Sequence, residues 1–154
     1  MYSIAEVYDS IRFSAPKVAW RSFVWFSIAA PKYKFILWLA AQSKLPTKDY
    51  ISTFLPSINQ RCCFCTQNES VLHLLCHCAE LKKVWFAISK ACKERKRHRS
   101  WEVLLRSFSR SKCRSVIKAQ FYSCFYVVAS YKVWKARNDI IFSNVIWNLK
   151  RVAH

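Results

Sequence analysis

A chain of 154 residues that is 53% hydrophobic and 16% aromatic can bury one sizeable core, which excludes disorder throughout. It has no glycine, which excludes both the P-loop and the Rossmann phosphate loop, disfavours tight β-hairpins, and leaves left-handed caps to Asn, Asp, Lys or Ser. Twenty-six Lys and Arg against eight Asp and Glu give a net charge of +18, a field that attracts polyanions with salt-dependent affinity.

In chain order, residues 3–12 set Ile4, Val7, Tyr8 and Ile11 at helical spacing behind Ser3, a suitable N-cap. Ser14-Ala15-Pro16 breaks that helix. An aromatic-rich helix is predicted over 18–28, and another over 32–43, with Tyr33, Phe35, Ile36, Leu37, Trp38 and Leu39 burying most of its surface. Trp25, Phe35, Trp38 and Trp85 all fall on apolar faces and are expected in the core. Leu45-Pro46-Thr47 marks a turn from which Thr47 can cap a short helix reaching residue 54. One helix is predicted over 69–76, and an amphipathic one over 79–92 with Leu81, Val84, Trp85 and Ile88 on one face. The charge run at 93–99 marks a boundary, 100–108 a short helix, and 112–142 one long helix with an apolar middle.

The expected fold is therefore mainly α. A small helical domain organised around one CCHC zinc knuckle occupies residues 1–92, a basic linker with a short helix 93–114, and a long C-terminal helical segment 115–154. No membrane partner is expected, because the apolar run 23–41 carries Pro31, Lys32 and Lys34 at its centre and the run 121–130 is too short to span.

Five of the eight cysteines and two of the four histidines lie between Arg61 and Cys78. Within that stretch Cys62-x2-Cys65-x7-His73-x4-Cys78 offers three thiolates and one imidazole to a single tetrahedral zinc. Four protein ligands make the metal structural and not catalytic. Cys63, Cys76 and His77 are competing donors. His73 and His77 are an i, i+4 pair, so a Cys2His2 set is also geometrically open. Cys92, Cys113 and Cys124 read as small buried apolar residues. Glu69 either orients the His73 imidazole or sits as a favourable negative charge at a helix N-terminus. Residues 1–6 lack the basic and apolar regions of a signal peptide, and the clustered cysteine spacing fits metal in a reducing, intracellular compartment.

These residues resemble the zinc-binding domain that follows the reverse transcriptase domain in plant non-LTR (LINE-type) retroelement polyproteins. Ala5-Glu6-Val7-Tyr8-Asp9 is similar to that family's opening helix, and Trp20 with Trp25 to its tryptophan element. Ala30-Pro31-Lys32-Tyr33-Lys34-Phe35-Ile36-Leu37-Trp38-Leu39 resembles its P-K-x-K-x-F-x-W signature, and Leu45-Pro46-Thr47 its L-P-T turn. The C-x2-C pair, Glu69-Ser70-Val71-Leu72-His73-Leu74, the H-x4-C pair and Val84-Trp85 follow in order. Trp134-Lys135-Ala136-Arg137-Asn138-Asp139-Ile140-Ile141-Phe142 is similar to a W-x-x-R-N-x-x-x-F element that often comes after them. The resemblance implies Cys62, Cys65, His73 and Cys78 as the zinc ligands. Cys63 and Phe64 depart from the family, which often has Pro and then Leu or Ile there.

The only aspartates are Asp9, Asp49 and Asp139, all isolated, so neither the polymerase nor the RNase H carboxylate set is present. Zinc-deaminase and zinc-protease motifs are absent too. The expected function is a non-catalytic nucleic-acid-binding zinc module that helps a reverse transcriptase hold its template or target. The alternatives are a protein-interaction module or a retroelement fragment without activity. Lys93, Arg95, Lys96, Arg97 and Arg99 are candidate phosphate contacts, with Lys32 and Lys34 on a second basic face, and RNA or DNA as partner. Residues 93–118 hold ten basic and two acidic positions, and the run 93–99 also reads as a nuclear localisation signal. A docking reading would leave Phe121, Phe125, Val128 and Lys132 as an exposed patch.

Overall fold

The structure is a computed structural model that describes residues 3–11, 18, 20–25, 28–91 and 116–143. Its elements are α1 (Ile4–Ile11), α2 (Arg21–Trp25), α3 (Pro31–Ala41), α4 (Lys48–Ser52), a single π-helical turn (His73–His77), α5 (Leu81–Ala91) and α6 (Val116–Ser143). Among the described residues there is no strand, only an isolated antiparallel bridge between Arg61 and Asn68. The mainly α expectation holds.

The starts of α1 and α3 follow from their sequences. Ser3 and Glu6 form a reciprocal capping box: the Ser3 amide donates to Glu6 Oε2 at 2.7 Å and the Glu6 amide donates to Ser3 Oγ at 3.2 Å. Hydrogen bonds from the Ser3 amide, and then from the Ser3 hydroxyl, hold the Glu6 carboxyl below its ordinary range. Pro31 opens α3, where its missing N–H costs nothing. Thr47 occupies the N-cap of α4 but makes no side-chain cap bond, because its hydroxyl pairs with the Asp49 carboxylate and lies 3.2 Å from the Leu45 carbonyl. α4 ends at Ser52, and Thr53 and Phe54 continue as a turn.

α3 ends without glycine. Ser43 takes φ 55°, its amide bonds to the Ala40 carbonyl at 3.0 Å, and the Lys44 amide bonds to the Leu39 carbonyl at 2.9 Å. This is a Schellman cap with serine in the left-handed position, the substitution that a glycine-free chain requires.

α6 packs against α2, α3, α5 and the π turn. Val133 and Trp134 of α6 join Ala40, Leu45, Leu74, Leu81 and the buried zinc-loop residues in one core. Tyr126 and Val127 join Val24, Ala29 and Leu37 in a second. Leu37, Leu45, Leu74 and Leu81 are fully buried, each a gain of about 1.5–3 kcal/mol over exposure. Trp85 belongs to both cores and stacks on Tyr126, with centroids 5.7 Å apart and planes within 8°. The expectation that Trp25 and Phe35 are core residues is corrected, since they are 50% and 52% exposed. Phe35 is followed by an unbroken apolar stretch to Ala41, and Trp25 lies between Val24 and Phe26, so periodicity did not choose the inward face. No helix among the described residues is long and apolar enough to cross a membrane.

Candidate metal centre

The zinc loop is drawn closed by its own backbone. The Glu69 amide donates to the Gln60 carbonyl and the Cys62 amide to the Gln67 carbonyl, both at 2.8 Å, on either side of the Arg61–Asn68 bridge. Between those rungs the chain turns through Cys62 and Cys65, and the Phe64 amide points at Cys62 Sγ from 3.4 Å. Phe64 is buried under the turn, so one aromatic side chain anchors a loop otherwise made of polar residues and thiols.

The second pair of donors comes from the π turn. The helix predicted over 69–76 instead begins at Val71, and from His73 onward it widens. The Cys78 amide closes the widened turn on the His73 carbonyl at 2.7 Å. The chain leaves the widened turn at Cys78, whose backbone (φ −58°, ψ 124°) is no longer helical. Cys78 and not His77 comes within ligand distance of His73. His77 is exposed and Cys78 is 1% exposed.

One ligand atom from each of Cys62, Cys65, His73 and Cys78 lies within 4.8 Å of all the others. Cys65 Sγ and His73 Nε2 are 3.2 Å apart. Zinc bonds of about 2.3 Å to sulfur and 2.0–2.1 Å to nitrogen give tetrahedral edges of about 3.5–3.8 Å. The donors therefore need only small side-chain rotations to close on one ion. Three soft thiolates with one imidazole suit zinc. Cys63, Cys76 and His77, the rival donors, fall outside this group among the described residues.

Protonation in the cluster is already uneven. Hydrogen bonds from the thiols of Cys63 and then Cys78, with the Phe64 and Cys65 amides, hold the Cys62 thiol far below its ordinary value. Cys63 and Cys78 are correspondingly raised, chiefly by the bond each makes to Cys62. Bound zinc takes the place of such protons and keeps its cysteine ligands as thiolates. Burial alone pushes the Cys76 thiol up to about 11.

Of the two roles expected from sequence, Glu69 meets the second on a different helix: its carboxylate accepts the amide of Lys48, the first residue of α4. Glu69 lies before the π turn, fully buried, and its carboxylate also receives Arg137 of α6. No local signal in the sequence pairs it with a residue 68 positions away. Lys32 is exposed at the start of α3, with Nζ 5.1 Å from the Tyr33 ring centroid and 5.8 Å from that of Tyr131. Lys34 is half-buried. Lys93, Arg95, Lys96, Arg97 and Arg99 lie outside the described residues, as do Cys92, Cys113 and the helix predicted over 100–108. Cys124 is partly buried against the second core. Phe125 is 51% exposed and Val128 partly buried.

A helical scaffold that gathers three cysteines and one histidine, with backbone rungs closing the loop that carries two of them, defines a small domain built on one structural zinc. Residues 2–85 match the family model described as zinc-binding in reverse transcriptase, and the chain belongs to that family. The matched segment contains all four donors and ends within α5. No curated protein and no solved structure matches the chain.

Proposed function

We propose that this chain is a non-catalytic nucleic-acid-binding module of a plant non-LTR (LINE-type) retroelement reverse transcriptase, acting in the nucleus to hold template or target. One observation carries the reading: a net charge of +18 on a chain whose metal centre uses four protein ligands. Such a metal builds structure, and the charge is left to do the binding. The isolated aspartates leave polymerisation to another domain, and RNA or DNA is the ligand of this one. The basic run 93–99, with Lys32 and Lys34, supplies phosphate contacts. Residues 93–114 serve as a linker between the zinc domain and the C-terminal helical segment.

The test is metal analysis of purified protein followed by titration with single-stranded and duplex RNA and DNA at two salt concentrations. One zinc per chain, with affinity falling steeply as salt rises, is the expected result. Salt-independent binding, or none, overturns the reading.

A second reading, docking onto a polymerase domain, draws on α1. Its residues Ile4, Val7, Tyr8 and Ile11 share one face and are 90%, 46%, 61% and 74% exposed. Such an apolar stripe is what a protein partner would cover.

A further inference from the structure

We propose that the outer face of α3 is a stacking site for an unpaired nucleic-acid strand, with Phe35 continuing the Trp38 ring outward and Lys32 and Lys34 taking the phosphates on either side. This rests on the nucleic-acid reading above and gives it an address.

The two rings form a ready stack. Their centroids are 5.7 Å apart and their planes 31° from parallel, a separation within the range that aromatic pairs prefer. Trp38 is the inner ring, packed against the second core and held there. Phe35 is the outer ring, 52% exposed and outside both cores. Trp38 is its one ring partner among the described residues. A base laid on the far side of Phe35 becomes the third layer of the stack and displaces no contact that the fold uses.

The helix sets the lysines around that ring. At about 100° per residue, Lys32 stands about 60° to one side of Phe35 and Lys34 about 100° to the other. The fully buried Leu37, about 160° round the helix from Phe35, fixes the inward direction. Both lysines lie within about 5 Å of Phe35 along the axis. The phosphates that flank a stacked base therefore fall within reach of both ammonium groups. Lys34 has no ion-pair partner among the described residues. Lys32 Nζ lies 5.1 Å from the Tyr33 centroid and 5.8 Å from that of Tyr131, two rings that meet at 4.6 Å where α3 packs on α6. That packing holds the exposed Lys32 charge in place, so less side-chain entropy is lost when it meets a phosphate.

Charge selects the partner. No acidic residue occurs between Asp9 and Asp49, so no carboxylate of α3 or of the chain on either side of it competes for these lysines. An exposed phenylalanine alone would suit a protein partner equally well. A ring with lysines on both flanks and no carboxylate is how single strands are held without reading sequence.

The test uses the zinc-loaded full chain and fluorescence anisotropy with short oligouridylate, oligothymidylate and a duplex of matched length. Phe35→Ala is expected to weaken single-strand binding about tenfold, with the duplex little affected, and Phe35→Tyr to keep wild-type affinity. Phe35→Leu preserves apolar volume while removing the ring, and it replaces Phe35→Ala if that variant loses zinc. Lys32→Gln combined with Lys34→Gln should flatten the single-strand salt slope by about 1.4. Wild-type affinity in Phe35→Leu, an equal loss on the duplex, or an unchanged slope in the lysine variant overturns this site and leaves the nucleic-acid reading standing. No binding by wild type overturns both. An equal loss of polyglutamate binding in Phe35→Ala would make Phe35 an anchor for acidic protein and overturn its assignment to bases.

Discussion

Arg137 and Glu69 form a buried ion pair that joins the zinc loop to the long C-terminal helix. Arg137 Nη2 lies 2.7 Å from Glu69 Oε1, and Nε lies 3.1 and 3.3 Å from the two carboxylate oxygens. The side chains are 3% and 0% exposed. The Lys48 amide donates to the same Oε1 at 2.9 Å, so the carboxylate also fixes the start of α4. The guanidinium lies over the Trp134 ring, 4.8 Å from its centroid. Arg137 therefore bridges a residue four positions before a zinc ligand and a tryptophan of the shared core, although it lies outside the segment that matches the family.

Removing one partner should be much worse than removing both. Arg137→Ala leaves the Glu69 charge buried and unpaired, which costs about 3–5 kcal/mol. Replacing the pair with apolar residues of similar volume, Glu69→Leu with Arg137→Met, should recover a large part of that loss. The Lys48 amide remains unmatched in the double variant and keeps the recovery incomplete. Thermal or denaturant unfolding of the two single variants and the double gives the cycle. Equal stability of Arg137→Ala and wild type would refute a structural role for the pair.

Zinc removal should reach α6 as well as the loop. A structural zinc contributes on the order of 10 kcal/mol in small zinc peptides near neutral pH. Cys62, Cys78 and their neighbours share a core with Val133 and Trp134. Chelation is therefore expected to lower amide protection both in residues 60–78 and around 130–137. Hydrogen exchange followed by mass spectrometry reads the two regions separately. Protection that persists in both after the metal has been extracted would show that the centre does not hold the fold.

The π turn gives the donors an order that substitution can check. Cys78→Ser and His73→Ala should each abolish stoichiometric zinc, while His77→Ala, Cys76→Ser and Cys63→Ser should retain one ion per chain. With cobalt as a spectroscopic stand-in, the intensity of the thiolate charge-transfer bands should fall in Cys78→Ser and stay constant in Cys76→Ser. A metal-free His77→Ala protein would place the fourth ligand elsewhere and make the widened turn irrelevant to coordination.

What could be read from sequence is what local spacing encodes. Cys62 and Cys65 meet through a two-residue turn, and Ser3-x-x-Glu6 forms a capping box, without reference to anything distant. The mainly helical class followed from periodicity and from the lack of glycine. The π turn was not legible, because the pattern of residues 71–77 suits an α-helix equally well and packing decides between them. The partner of Glu69 was not legible either, since a pairing across 68 positions leaves no trace in a local window. Trp25 and Phe35 were misplaced for a related reason: where apolar residues run consecutively, only tertiary contacts decide which side is covered.

The absence of glycine leaves a measurable weakness at the end of α3. Among the described residues Ser43 is the only non-glycine with positive φ, at 55°. For an L-residue with a Cβ this region costs roughly 1–2 kcal/mol, and glycine escapes the clash while giving up some chain entropy on folding. The cap cannot relax to another conformation, because the Ser43 and Lys44 amides both return to α3 carbonyls and Leu45, immediately after, is 1% exposed in the core. Ser43→Gly should therefore raise unfolding stability by about 0.5–1 kcal/mol. Ser43→Val, whose branched Cβ tolerates this region least, should lower it by more than that gain. Denaturant melts of the zinc-loaded variants decide the matter. If the glycine variant is the less stable of wild type and itself, Ser43 contributes something beyond its backbone angle.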